Sequence, residues 1–334
     1  MNRPHRTFSC FLFFSVSLLT ACAGGGEAPS ATEEWGGDPD GFLAADSARM
    51  MEELRFLSSD SLKGRQSGTP ENVLARDFIL AAFLEAGLEE PAAGFVQPFE
   101  FRGRRDTTQV TQGANVVGFV PGTESDLGAI VFTAHFDHVG VRDGEVYNGA
   151  DDNASGTVAL LAMARYVATN PLRHTAVFAA VDAEEMGLRG ARAFVDSQWP
   201  EEIILNVNMD MVARSDSILF AAGTYHYPQL KPILESVPQR GAVVIRFGHD
   251  EPGIEGVADW TRSSDHGPFH AEGIPFVYFG VEDHPDYHRP TDDFQQIDPG
   301  FFVNAVRTVL ASAIALDEEM EVAADPGEGQ GRPE

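Results

Sequence analysis

Cysteine is almost missing from this chain. Cys10 and Cys22 are the only two, both within the first 22 residues. The domain that follows is therefore held by no disulfide pair and offers no thiolate to a metal. Lysine is nearly as scarce: Lys63 and Lys231 stand alone, so the 23 basic residues are almost all arginine, set against 51 acids and a formal charge of −28. A surface of that sign repels phosphate, which excludes nucleic acid as a partner. No internal repeat is found. The apolar run Thr7–Leu19 is too short to cross a bilayer as a stable helix.

That run follows a basic start, Met1–Arg6, and reads as a signal peptide. It ends in Leu19-Thr20-Ala21-Cys22, which resembles a bacterial lipobox and implies cleavage before Cys22 with lipid on that cysteine. The expected organisation is a lipoprotein signal peptide at 1–21, a flexible Gly/Pro/Ala/acid tether at 22–46, one folded domain at 47–318, and a disordered acidic tail at 319–334. The location implied is the cell envelope, lipid-anchored on the periplasmic or extracellular side.

At 43% apolar and 10% aromatic, the chain can bury a sizeable core. Helical spacing begins at Ser47 and recurs in the stretch from Glu71 to Leu88, where Gly87 is a C-cap. Strand candidates follow as near-continuous apolar runs: NVVGFVPG, AIVFTAHFD, TAVFAAVDAEE, IILNVNMDM, SILFAAG, AVVIRFG and IPFVYFG. Helical stretches at 154–168, 188–198, 229–237 and 299–316 alternate with them. Runs of this kind belong to strands covered on both faces, so the pattern predicts an α/β three-layer sandwich with a mixed, mainly parallel central sheet flanked by helices.

Functional groups of such sheets gather beyond the carboxyl ends of the strands. Three strands here end in charge: AIVFTA runs into His135 and Asp137, TAVFAAVDA into Glu184 and Glu185, IILNVNM into Asp210. Asp151 and Asp152 open a Gly/Ala/Ser-rich helix start, and HPDYHRPTDD carries His284 and His288. Several carboxylates at one sheet edge repel unless a cation neutralises them. Imidazole and carboxylate without thiolate suit zinc or manganese in a catalytic role.

AHFD, GADDNASG, DAEEMGLRGA, NMDM, SDHGPF with GIPFVYFG, and YHRPTDD resemble, in order and spacing, the co-catalytic di-zinc aminopeptidases. That family also includes glutamate carboxypeptidase-like enzymes and glutaminyl cyclases. The resemblance spans Ser47 to Leu316 and implies two Zn²⁺ ions bridged by Asp151. His135 and Asp210 would complete one ion, Glu185 and His288 the other. It makes Glu184 the general base and Asp137 the carboxylate that orients His135. It also implies that the Asp151-Asp152 step is a cis peptide and that Asp265 and His266 stand behind the site. His284 reads as a surface histidine and His138 as structural. Tyr225, Trp260, His266 and Tyr287 are the candidates for stabilising an oxyanion.

The expected activity is removal of N-terminal residues from peptides by a monomeric, metal-dependent aminopeptidase. A glutaminyl cyclase-like single-zinc acyltransferase, a carboxypeptidase using Arg262 or Arg289, and a non-catalytic binding lipoprotein are the alternatives. Phe269, Phe276, Tyr278 and Phe279 suggest either an apolar specificity pocket or ordinary core.

Overall fold

The computed structural model describes residues 37–102, 108–124, 126–197 and 199–320. The expected signal peptide, the tether up to residue 36 and the tail beyond 320 lie outside the described residues.

The first helix corrects one boundary. Helix α1 spans Pro39–Leu57, eight residues ahead of the expected domain start. Asp38 caps it through its side chain, which accepts from the Gly41 amide at 3.0 Å, and Pro39 occupies the first turn, where no N–H is needed. Leu43 is fully buried and Phe42 meets Tyr166 edge-on at 5.4 Å. Gly- and Pro-rich composition masked a capped start with a real anchor.

Helix α2, Pro70–Ala86, is capped by Thr69 and ends at Gly87 with φ 83°, as its sequence predicts. Ten strands follow among the described residues: β1 Val96–Arg102, β2 Val110–Val120, β3 Ala129–His135, β4 Gly140–Arg142, β5 Glu145–Tyr147, β6 Thr175–Val181, β7 Ile203–Met209, β8 Ile218–Ala222, β9 Val244–Phe247 and β10 Phe276–Gly280. The helices among and after them are α3 Gly156–Thr169, α4 Arg189–Asp196, α5 Leu230–Ser236, α6 His266–Ala271 and α7 Pro299–Glu319.

Eight strands form one sheet in the order β1-β2-β6-β3-β7-β10-β8-β9. The centre, β6-β3-β7-β10, is parallel, and antiparallel pairings flank it on both sides. The mixed, mainly parallel sheet is as expected. β1, the β4/β5 hairpin and the short α6 are additions. Pro98 interrupts β1, which sits at the edge of the sheet where a missing donor is tolerated.

Side-chain parity divides the core. In β3, Ile130, Phe132 and Ala134 join the larger cluster with α1, α2, α3 and α7, while Ala129 and Val131 face the side of Phe194 and Phe269, from α4 and α6. His135 follows the odd positions. It therefore leaves the sheet on the α4/α6 face, as do Asn206 and Asn208 of β7, which bond Val131 and Thr133 there. α7 is apolar and long enough to cross a membrane, but its apolar side, including Phe302, Val306, Val309 and Leu316, is fully buried in the core beside α1, α3 and α5. Phe269, Phe276, Tyr278 and Phe279 are core residues, so the specificity-pocket reading of them fails.

Candidate metal centre

The carboxyl ends of β3, β6 and β7 lie side by side, and each hands over a charged residue. β3 ends on His135, whose Nδ1 meets the main-chain carbonyl of Asp137 at 3.2 Å. After β6 the chain turns through Ala183, in the left-handed region at φ 60°, to present Glu184 and Glu185. After β7 comes Asp210, followed by Met211 at φ 59°; His288 itself has φ 52°. Residues of this kind avoid that region, and such strain gathers at functional sites.

Two groups of ligand atoms result. His135 Nε2 lies 3.5 Å from Asp152 Oδ1 and 3.4 Å from Asp210 Oδ1. His288 Nε2 lies 3.0 Å from Asp152 Oδ2 and 3.1 Å from Glu185 Oε1. His138 Nδ1 stands 2.9 Å from Glu185 Oε1 and 3.6 Å from Asp152 Oδ2. Asp152 thus gives one oxygen to each group, which is the arrangement of a carboxylate between two cations.

The expectation placed that role on Asp151, and the structure moves it one residue on. Asp151 points away: its Oδ1 accepts from the Ala213 amide at 2.7 Å and from Ser155 Oγ at 3.2 Å, and its Oδ2 faces His284 Nε2 at 3.2 Å. Adjacent side chains at this turn diverge, so only one of the pair reaches the cluster. The cis peptide likewise falls at Asp152-Asn153 rather than Asp151-Asp152. His284 is no surface residue, since it is largely enclosed between Asp151 and Arg214. His138, expected to be structural, is buried within the cluster. The other four expected ligands, His135, Glu185, Asp210 and His288, do converge.

Asp137 also works differently from the expectation. Its carboxylate is 3.7 Å from His135 Nδ1, too far for a hydrogen bond, and it accepts instead from the Glu184 amide at 3.0 Å and Ser67 Oγ at 3.1 Å. It orients His135 through its backbone and fixes the Glu184 segment through its side chain. Ser67 Oγ also lies 2.8 Å from Asp182 Oδ1, so its hydroxyl bridges the two buried carboxylates. Arg65, almost fully buried, donates to the carbonyls of Phe136, Leu57, Asn148 and Gly149 and so clamps both ends of the loop that carries His138. Asp292 does the corresponding work at Asp152, accepting from its amide at 3.1 Å. The sequence signal for Arg65 was present in LKGRQSGTP, which reads only as a turn-rich loop.

Burial shapes the charges. Burial, with the carboxylates Asp265, Asp210 and Glu185 adding to it and His135 opposing it, raises Glu184 well above the ordinary carboxylate range. Burial works the same way on Glu185, but His138 and His288 outweigh it and hold that carboxyl low. Asp265, fully buried behind the site, is pushed up to about 8 by burial, and burial lowers His266 to about 4, leaving it neutral. His266 Nε2 is held by the Trp260 main-chain carbonyl at 2.7 Å, which occupies that ring nitrogen. Tyr225 is 53% exposed. Tyr287 stacks on His288 at 4.1 Å, and burial beside Asp152, Asp210 and Glu185 keeps its phenol protonated.

The donor set fits a cation. Among the described residues, Asp210 Oδ1, Glu185 Oε1 and both ring nitrogens of His138 are buried with no hydrogen-bond partner. Orphaned buried acceptors are costly and rare, and here they cluster around two points. Oxygen and imidazole donors in threes and fours, with no thiolate, match zinc.

A parallel-centred sheet with buried histidines and carboxylates at its carboxyl edge is a scaffold suited to holding metal ions. Residues 115–313 match the family model described as peptidase family M28, and the chain belongs to that family. Aminopeptidase YwaD of Bacillus subtilis (strain 168) is 30% identical over 209 residues, 57% of this chain and 41% of that protein. A vacuolar membrane protease of Candida glabrata is 23% identical over 229 residues, 67% of this chain and 23% of that one. The chain thus spans less than half the length of these curated relatives. The fold matches an aminopeptidase from Aneurinibacillus sp. strain AM-1 with TM-score 0.67 at 18% identity, covering 88% of this chain and all of that one. It also matches the Fimbriiglobus ruber glutaminyl cyclase, with TM-score 0.63 at 17% identity, 81% of this chain and 95% of that one.

Proposed function

We propose that the protein is a zinc-dependent aminopeptidase that removes N-terminal residues from peptides with two metal ions. The observation that carries the reading is Asp152, whose Oδ1 faces the His135/Asp210 group and whose Oδ2 faces the Glu185/His288 group. His135, Asp152 and Asp210 would hold one ion; Asp152, Glu185 and His288 the other. Bound there, zinc supplies Lewis acidity for the scissile carbonyl and lowers the pKa of a water. Glu184, whose carboxyl burial raises well above the ordinary range, takes the proton of the attacking water on its carboxylate and returns it to the leaving amine. Asp137 holds the Glu184 backbone still during that exchange. Tyr287, protonated and packed on His288, donates to the oxyanion.

The test is hydrolysis of aminoacyl-anilides with and without chelator, alongside Glu184→Gln. Activity is expected to require metal and to fall about 10²–10⁴-fold in the variant while bound zinc is unchanged, as for loss of a general base. Full activity in the variant would refute the role of Glu184. Cyclisation of an N-terminal glutamine peptide, with no hydrolysis, would favour the glutaminyl cyclase reading instead. The envelope location and the lipid on Cys22 belong to the same proposal and rest on the Leu-Thr-Ala-Cys sequence. Cys22→Ser should move the protein from the membrane to the soluble fraction.

A further inference from the structure

We propose that His138 is a direct fourth protein ligand of one of the two ions, so that the two metal positions are unequal by construction. The inference rests on the two-ion reading above and adds a ligand outside the set that reading uses.

The geometry around His138 is that of a coordination shell. Its Nδ1 lies 2.9 Å from Glu185 Oε1, yet neither atom is satisfied by a hydrogen bond of good geometry among the described residues. Two buried, unsatisfied donor atoms this close, beside Asp152 Oδ2 and His288 Nε2, are placed to share one cation. The distances agree. Four donors at about 2.0–2.1 Å from a tetrahedral zinc lie roughly 3.3–3.4 Å from one another. Four of the six such edges here are 2.9 Å, 3.6 Å, 3.0 Å and 3.1 Å, among His138 Nδ1, Asp152 Oδ2, Glu185 Oε1 and His288 Nε2, and all four atoms lie within 4.8 Å of one another.

The backbone keeps His138 there. Gly149 has φ 56°, and a Cβ on it would come within 2.5 Å of the His138 ring, so the hairpin loop leaves the space that the imidazole fills. Arg65 clamps that loop by donating to the Phe136, Asn148 and Gly149 carbonyls. The His138 ring meets His288 edge-on at 5.7 Å.

The consequence is an asymmetry. One position has four protein donors and is closed, in the manner of structural zinc. The other has three, His135, Asp152 and Asp210, and keeps an open place for water or substrate, in the manner of catalytic zinc. The closed ion would be the tighter and the slower to leave.

Cobalt-substituted wild-type protein with ¹⁵N-labelled histidine tests this without any mutation. Hyperfine-shifted ring N–H signals from three coordinated histidines are expected; two would overturn the proposal. The second arm titrates zinc into His138→Ala and His138→Asn, with bound metal measured by mass spectrometry. Outer-shell partners typically cost about 10–100-fold in affinity, so a direct ligand should weaken the tighter site by more than about 100-fold and change its cobalt absorption. Unchanged affinity and spectrum in a folded variant would also overturn it. Wild-type protein that binds no metal would sink the two-ion reading, a result distinct from either of these.

Discussion

Two acidic clusters in this molecule, one partly exposed through Glu85 and one buried, are solved in opposite ways. Between α1, α2 and α3, Asp46, Glu53 and Glu85 meet Arg165 and Arg49: Arg165 reaches Asp46 at 2.6 Å and Glu53 at 2.9 Å, and Arg49 reaches Glu53 and Glu85 at 2.9 Å and 2.8 Å. Every acid there has a guanidinium. At the carboxyl edge of the sheet, Asp152, Glu184, Glu185, Asp210 and Asp265 are packed together without one in hydrogen-bond contact among the described residues. Arg65, the buried guanidinium nearby, spends its donors on carbonyls. The first cluster neutralises itself; the second is complete only with a cation from outside. In a chain with 51 acids and 23 bases, that separation distinguishes structural acids from functional ones better than burial does.

The comparison can be broken at several points. The largest effect is expected for Asp152→Asn, which removes charge from both metal positions at once: both ions are lost and hydrolysis falls to background, read by metal analysis and anilide turnover. Arg165→Met attacks the other cluster, stranding Asp46 and Glu53. Removing one partner of a buried pair costs about 3–5 kcal/mol. Urea unfolding should show that loss while zinc content stays at the wild-type value. Chelation gives the reverse pattern. An ion held at 100–1,000 times its dissociation constant stabilises by about 3–4 kcal/mol, and EDTA should abolish that increment in wild type and in Arg165→Met alike. The smallest effect is expected for Asp151→Asn. The amide keeps the Oδ1 contact to the Ala213 N–H, so stability falls by about 1–3 kcal/mol and both ions stay bound. Loss of metal in that variant would return the bridging role to Asp151.

Much of this was legible in sequence because it follows from periodicity and strand ends. The apolar runs gave seven of the sheet strands, and parity along β3 puts His135 on the α4/α6 face. Four of the five expected ligands converge. The fifth failed by one residue because Asp151 and Asp152 are chemically identical neighbours. Which of them turns inward depends on the Ala213 amide and on His284, contacts that come from 62 and more residues away. His138 was missed for a related reason: a histidine directly after Asp137 carries no ligand-spacing signal of its own, and its placement depends on Gly149 and Arg65. α1 began early because a single cap and Leu43 outweighed a disordered-looking composition.

The most direct test is a crystal structure of the zinc-loaded protein with anomalous data collected at the zinc edge. Two peaks are predicted, one on each side of the Asp152 carboxylate, with His135 and Asp210 at one and Glu185 and His288 at the other. A single peak, or a pair flanking Asp151, would contradict the account.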